Sequence, residues 1–145
     1  MVNRLIKRNV IAVDFDGSLA DNSVVNFNNY RSDLLGKPID LMVNRVKEWL
    51  AKGIKVVIFT ARVHPSHGKK EVVKAEKAIK KWCLDVFGCE LEVTCMKDPI
   101  FMEIWDDRAI GLVENTGMIA TPDISKFFCT ISCSDAICIK HDITQ

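Results

Sequence analysis

What the chain lacks narrows its possibilities first. No uncharged apolar run in its 145 residues approaches the roughly 18 that a membrane-spanning helix needs. The N-terminal stretch Met1-Val-Asn-Arg-Leu-Ile-Lys-Arg8 is basic, but the apolar run after it, Val10 to Val13, ends at Asp14. That run is too short for a signal-peptide core, so a soluble cytoplasmic protein is expected. Neither sign of charge dominates. Twenty Lys plus Arg stand against nineteen Asp plus Glu, so a broad basic face that grips nucleic acid nonspecifically is not implied. There is no internal repeat, no low-complexity tract and no linker-like segment. With 145 residues, 48% of them hydrophobic, one domain with a true core is expected over 1–145.

Paired C-x-x-C knuckles are also missing. The six cysteines are Cys83, Cys89, Cys95, Cys129, Cys133 and Cys138. The last three with His141 give C-x3-C-x4-C-x2-H, in surroundings (Phe127, Phe128, Ile131, Ile137, Ile139) that read as strand. Free thiols, not a structural zinc site, are the expectation.

Apolar periodicity supplies the elements. Asn9 to Phe15 is short, apolar and β-branched, as in a strand buried on both faces. The stretch from Gly17 to Lys37 is polar and irregular and reads as a long loop or flap. Met42, Val43, Val46, Trp49 and Leu50 predict a helix over 40–52, stopped by Gly53. Lys55 to Phe59 is a second buried strand, and 62–68 a loop containing His64, Pro65 and His67. Helical spacing resumes over 69–87 and stops at Gly88, with Lys70, Lys74, Lys77, Lys80 and Lys81 on what reads as a solvated face. Strands are expected over 90–95 and 101–105. Beyond Gly111 only short β-prone pieces stand out, around 115–117 and 121–123. Alternation of strand and helix predicts an α/β fold with a mainly parallel sheet flanked by helices.

Chemistry-bearing residues fall where the strands end. Asp14 and Asp16 follow the first strand, Thr60 the second, and Asp106 with Asp107 the fourth. The carboxyl ends of parallel strands form one edge, where ligands bind. Four carboxylates gathered there repel one another unless a cation or protons compensate, and a hard divalent ion such as Mg²⁺ suits oxygen ligands. Lys97 is placed to bring another positive charge. Two aspartates two residues apart suit phosphoryl transfer, one attacking and the other serving as acid and base, with Gly17 allowing the sharp turn. Taken alone, Asp-x-Asp-Gly is equally a calcium-loop fragment or a simple turn.

In order, Asp14-Phe-Asp16-Gly17-Ser18-Leu19, Phe59-Thr60-Ala61-Arg62, Lys97 and Trp105-Asp106-Asp107-Arg108 resemble the four motifs of the haloacid dehalogenase (HAD) superfamily of phosphohydrolases. The resemblance covers about residues 9–112, leaving 113–145 as a C-terminal completion. Small HAD-like proteins common in phage and bacterial genomes are the nearer likeness. It implies a Rossmann-like HAD fold and an Mg²⁺-dependent phosphomonoester hydrolase. Asp14 would be the nucleophile that forms an aspartyl-phosphate, and Asp16 the general acid/base. Thr60 would hold the phosphoryl group and Lys97 its charge. The metal would be bound by Asp14, the Asp16 carbonyl, Asp106 and Asp107, with Gly17, Ala61 and Arg62 at the substrate. Ser18 stands where the family usually has Thr and keeps the hydroxyl.

The 17–38 loop and the third-to-fourth strand connection are too short for a large cap domain. The site should be comparatively open, enclosed at most by the loop or by a second copy in a homo-oligomer. A small phosphorylated metabolite or nucleotide is the leading substrate class. Residues 80–88 have a local similarity to the 3′-phosphatase domains of phage polynucleotide kinases, which makes a nucleic-acid end the alternative. A catalytically silent binding protein of the same fold is the third reading.

Overall fold

The structure, a computed structural model, describes residues 7–120. Its elements run in chain order as β1 (Val10–Val13), α1 (Asp40–Ala51), β2 (Lys55–Phe59), α2 (Lys69–Phe87), β3 (Glu92–Thr94) and β4 (Phe101–Trp105), with three short 3-10 turns between them. The four strands form one sheet in the order β3-β2-β1-β4, and every pairing is parallel. The first and third strands are shorter than the apolar runs that announce them. Phe15 leaves the sheet, and Glu90 and Leu91 precede it, yet Phe15 and Leu91 are buried in the core.

Register explains the burial. Val10 pairs with Lys55 and Val13 with Ile58 on one side of β1, while Val13 pairs with Trp105 on the other. Central β1 is therefore covered by strands at both edges, and all four of its residues are buried. Burying Val10, Ile11 and Val13 contributes about 1.5–3 kcal/mol apiece.

The sheet has two unlike faces. Ile11, Val13, Val56 and Ile58 pack with Met42, Val43 and Val46 of α1 and with Ile79 and Cys83 of α2. The chain steps from β1 through β2 to β3 in one direction, and crossovers of one hand place both helices on one face. On the other face Val10, Ala12 and Val57 are packed with Phe59, Ile100, Phe101 and Ile104. Among the described residues no helix joins that second cluster, so the flanking expected from the sequence is one-sided here.

Local chemistry sets the helix ends. Asp40 and Glu71 lie in the first turns, where a negative charge meets the helix dipole. Helix α2 stops at Gly88, whose φ of +77° closes the last turn in the left-handed region. Three of its lysines carry their own counter-charges: Lys80 pairs with Glu76, Lys81 with Asp85, and Lys74 with Asp33.

The irregular 17–39 segment is tied at its base. Asp21 donates its amide to the Lys37 carbonyl at 2.8 Å, and Ile39 donates to Leu19 at 2.9 Å. Gly36 makes this possible, because a Cβ there would lie 1.7 Å from the Asp21 carbonyl oxygen. The Trp82 indole donates to the Gly36 carbonyl at 3.0 Å, and Ser32 donates to Glu71, so the segment docks on α2.

Contacts divide the chain into two units between Ala109 and Ile110. In the second, residues 110–120 make a tight antiparallel turn, with Leu112 bridging Ile119 and Val113 donating to Met118 at 2.8 Å. The β-prone pieces around 121–123 and the cysteines at 129, 133 and 138 lie outside the described residues. Cys83, Cys89 and Cys95 are free thiols. No helix among the described residues is long and apolar enough to cross a membrane.

Candidate active site

Parallel pairing brings the ends of β1, β2 and β4 to one edge. Asp14 follows β1 directly and donates its amide to the Trp105 carbonyl at 2.8 Å, which fixes it beside the end of β4. Carboxylate oxygens of Asp14, Asp106 and Asp107 then lie within 4.8 Å of one another. No Lys, Arg or His forms an ion pair with any of the three among the described residues. Burial, and then the Asp106 charge, push the Asp14 carboxyl up to about 7 from its ordinary 3.8. Asp107 adds to the rise, against hydrogen bonds from the Phe15 amide and the Ser18 hydroxyl.

Ser18 and Gly17 shape this corner. The Ser18 hydroxyl lies 3.3 Å from Asp14 Oδ2 and 3.4 Å from Asp107 Oδ1, and its single proton serves one of them at a time. Its oxygen accepts the Asp107 amide at 3.0 Å. Gly17 has a φ of +88°, and a Cβ there would meet Asp107 Oδ2 at 2.8 Å. The turn and the close approach both require glycine.

Asp16 lies apart from the acid cluster and has a partner. Arg62 grips it with two bonds, Nε to Oδ2 at 2.6 Å and Nη2 to Oδ1 at 2.7 Å. The remaining terminal nitrogen, Nη1, donates to the Ser32 carbonyl at 3.2 Å and the Arg31 carbonyl at 3.4 Å. The Arg62 side chain is 3% exposed, so its guanidinium nitrogens are all engaged by the protein rather than offered to a ligand. Burial opposes its charge, but the bonds and charge of Asp16 outweigh that and raise the Arg62 pKa. Thr60 starts the 3-10 turn Ala61–Val63 by accepting the Arg62 amide at 3.2 Å, which aims the arginine inward.

Two clefts meet at Asp14. The smaller, about 410 Å³, is lined by residues that include Asp14, Thr60, Ala61, His64, Cys95, Asp106 and Arg108. The larger, about 810 Å³, shares Asp14, Thr60, Ala61 and Arg108 and adds Asp16, Arg62, Asp107, Asn22, Val25, Tyr30 and His67. Of the residues singled out from the sequence, Asp14, Asp16, Thr60, Ala61, Asp106 and Asp107 are brought together, with Gly17 beneath Asp107. Lys97 is exposed and lines neither cleft. Arg108, named in the fourth motif but given no role there, borders both.

Sequence reasoning also passed over Asn22, Val25 and Tyr30, all on the segment it read as irregular. The one signal was that Tyr30 is the chain's sole tyrosine. Trp105, beside the acids in sequence, packs on Trp49 at 5.1 Å with Arg45 over its ring. Comparisons of the chain with protein-family models, with curated proteins and with solved structures find no match.

Proposed function

We propose that the protein is an Mg²⁺-dependent phosphomonoester hydrolase of the HAD type, acting on a small phosphorylated metabolite or nucleotide through an aspartyl-phosphate on Asp14. The observation that carries this reading is the uncompensated Asp14–Asp106–Asp107 cluster at the carboxyl edge of an all-parallel sheet. Its donor set fits a divalent cation. Three carboxylates offer hard oxygen ligands within reach of one another, and no cationic side chain among the described residues pairs with them. Asp14, Asp106 and Asp107, with the Asp16 carbonyl, would hold Mg²⁺, which when bound neutralises charge on the phosphoryl oxygens.

The protein's own groups then divide the work. An Asp14 oxygen attacks phosphorus, the bond to the leaving oxygen breaks, and that oxygen keeps the electron pair. For Asp16 to give it a proton, one Asp16 oxygen must first leave Arg62 and be protonated; that proton then passes to the leaving oxygen and the alcohol departs. Asp16 next takes a proton from the water that attacks the aspartyl-phosphate, which restores the Asp14 carboxylate and frees inorganic phosphate. Arg62 holds Asp16 in place from below. Thr60 sits at the same edge as a phosphoryl contact, and Arg108 supplies the cation that borders both clefts.

Of the α2 lysines that bear on a nucleic-acid end as substrate, Lys74, Lys80 and Lys81 are already paired with acids. Exposure to beryllofluoride with Mg²⁺ tests the nucleophile. The expected result is a mimic bound on the Asp14 carboxylate and absent from Asp14→Asn; a mimic on another residue, or none, contradicts the assignment.

A further inference from the structure

We infer that the larger cleft receives the leaving group of the phosphomonoester, and that this group carries a planar heteroaromatic ring, as nucleoside monophosphates do. The inference rests on the hydrolase reading and names its substrate class. Asp14 belongs to both clefts, but Asp16 lines only the larger and Asp106 only the smaller. The leaving oxygen must meet Asp16 to be protonated, so the alcohol it belongs to lies on the Asp16 side. At about 810 Å³ that cleft is in the range that encloses a ligand of nucleoside size, whereas a two- or three-carbon alcohol would leave most of it to water.

Its lining includes a stacked pair of rings suited to a flat group. His67 stacks on Tyr30 with centroids 5.3 Å apart and planes 24° from parallel. The Arg62 guanidinium lies 5.6 Å from the Tyr30 centroid and is itself fixed by Asp16 and by the Arg31 and Ser32 carbonyls. Asp16, Arg62, Tyr30 and His67 are therefore linked contact by contact in one row, held before any ligand arrives. The His67 side chain is exposed and makes no hydrogen bond among the described residues, so its ring is available to another planar group. Asn22, in the same cleft, has a side-chain amide with no partner among the described residues and can meet the polar edge of a heterocycle. Val25 adds an aliphatic contact to that lining.

The test compares nucleoside 5′-monophosphates with ribose 5-phosphate, which keeps the sugar and phosphate and omits the ring. Wild type, His67→Ala and His67→Phe are assayed with Mg²⁺, and binding of uncharged nucleosides is measured by equilibrium dialysis. In wild type kcat/KM should favour the best nucleotide by roughly tenfold or more, the scale of one stacking contact. His67→Ala should bring that ratio toward one, and His67→Phe should restore it. Hydrolysis with no preference, or a preference that ignores His67→Ala, overturns the inference and leaves the hydrolase reading standing. If neither phosphate is hydrolysed, dialysis decides the ring site alone. His67-dependent nucleoside binding supports that site, and its absence overturns it.

Discussion

Two aspartates two residues apart end in opposite electrostatic states. Asp16 meets a buried arginine that takes up both its oxygens, and that arginine is locked in turn to two backbone carbonyls. Asp14 has two acids beside it, Asp106 and Asp107, and no cation paired with it among the described residues, and burial together with the Asp106 charge lifts its pKa to about 7. One half of the site is complete without a ligand and the other is not. A parallel sheet edge can position both, but only the second half needs something from solution. In the proposed mechanism the incomplete half takes the cation and the phosphoryl group, and the half closed by Arg62 carries Asp16 beside them.

The largest expected effect falls on the incomplete half. Asp14→Asn should lower phosphate release by more than about a thousandfold, as loss of a nucleophile does. Steady-state rates on an aryl phosphate check it. The same substitution removes a repelled charge, so the metal-free variant should be at least as stable to urea as wild type. An activity loss accompanied by unfolding would instead make Asp14 a structural residue.

Breaking the complete half should act on stability. Arg62→Met leaves Asp16 without its partner and uncouples the Arg31 and Ser32 carbonyls, at a cost of about 2–4 kcal/mol. Urea unfolding followed by tryptophan fluorescence reads this directly. A variant as stable as wild type would mean that the clamp contributes nothing net to folding.

pH separates the halves without mutation. In metal-free protein Asp14 keeps its proton up to about 7 when folded, whereas in the unfolded chain it ionises near 3.8. Between those values the folded state holds the extra proton, so stability declines as pH rises through that window. Asp14→Asn should flatten the decline, and Mg²⁺ should oppose it near pH 7 by binding the ionised cluster. Stability that instead rises across the window would place Asp14 among compensated carboxylates.

The smallest effect discriminates between two cations. Lys97 lines neither cleft and Arg108 borders both. Arg108→Ala should slow hydrolysis by about tenfold or more and Lys97→Ala by less. The reverse order would return the phosphate-charge role to Lys97, as the family resemblance implies.

Much of the frame was legible in the sequence because short-range physics writes it there. Apolar runs with β-branched residues marked β1 and β2, helical spacing and Gly88 bounded α2 within a residue, and strand ends pointed to Asp14, Thr60 and Asp106. Long-range pairing was not legible. Arg62 reads in the chain as a charge beside a phosphate motif, because Asp16, its partner, is 46 residues away and burial leaves no mark on a single letter. The 17–39 segment lacks periodicity, since cross-ties such as Asp21 to Lys37 and Trp82 to Gly36 hold it instead. Tyr30 and Asn22 were therefore missed as cleft residues. One-sided helix packing was equally hidden, since it follows from the strand order.

The most direct test is release of inorganic phosphate from an aryl phosphate and a nucleotide panel, with Mg²⁺ or EDTA, by wild type and Asp14→Asn. Release that requires Mg²⁺, stops in EDTA and vanishes in Asp14→Asn is the predicted result. Release that persists in EDTA or in Asp14→Asn would contradict the account, as would silence across the panel in a folded protein that binds no divalent cation.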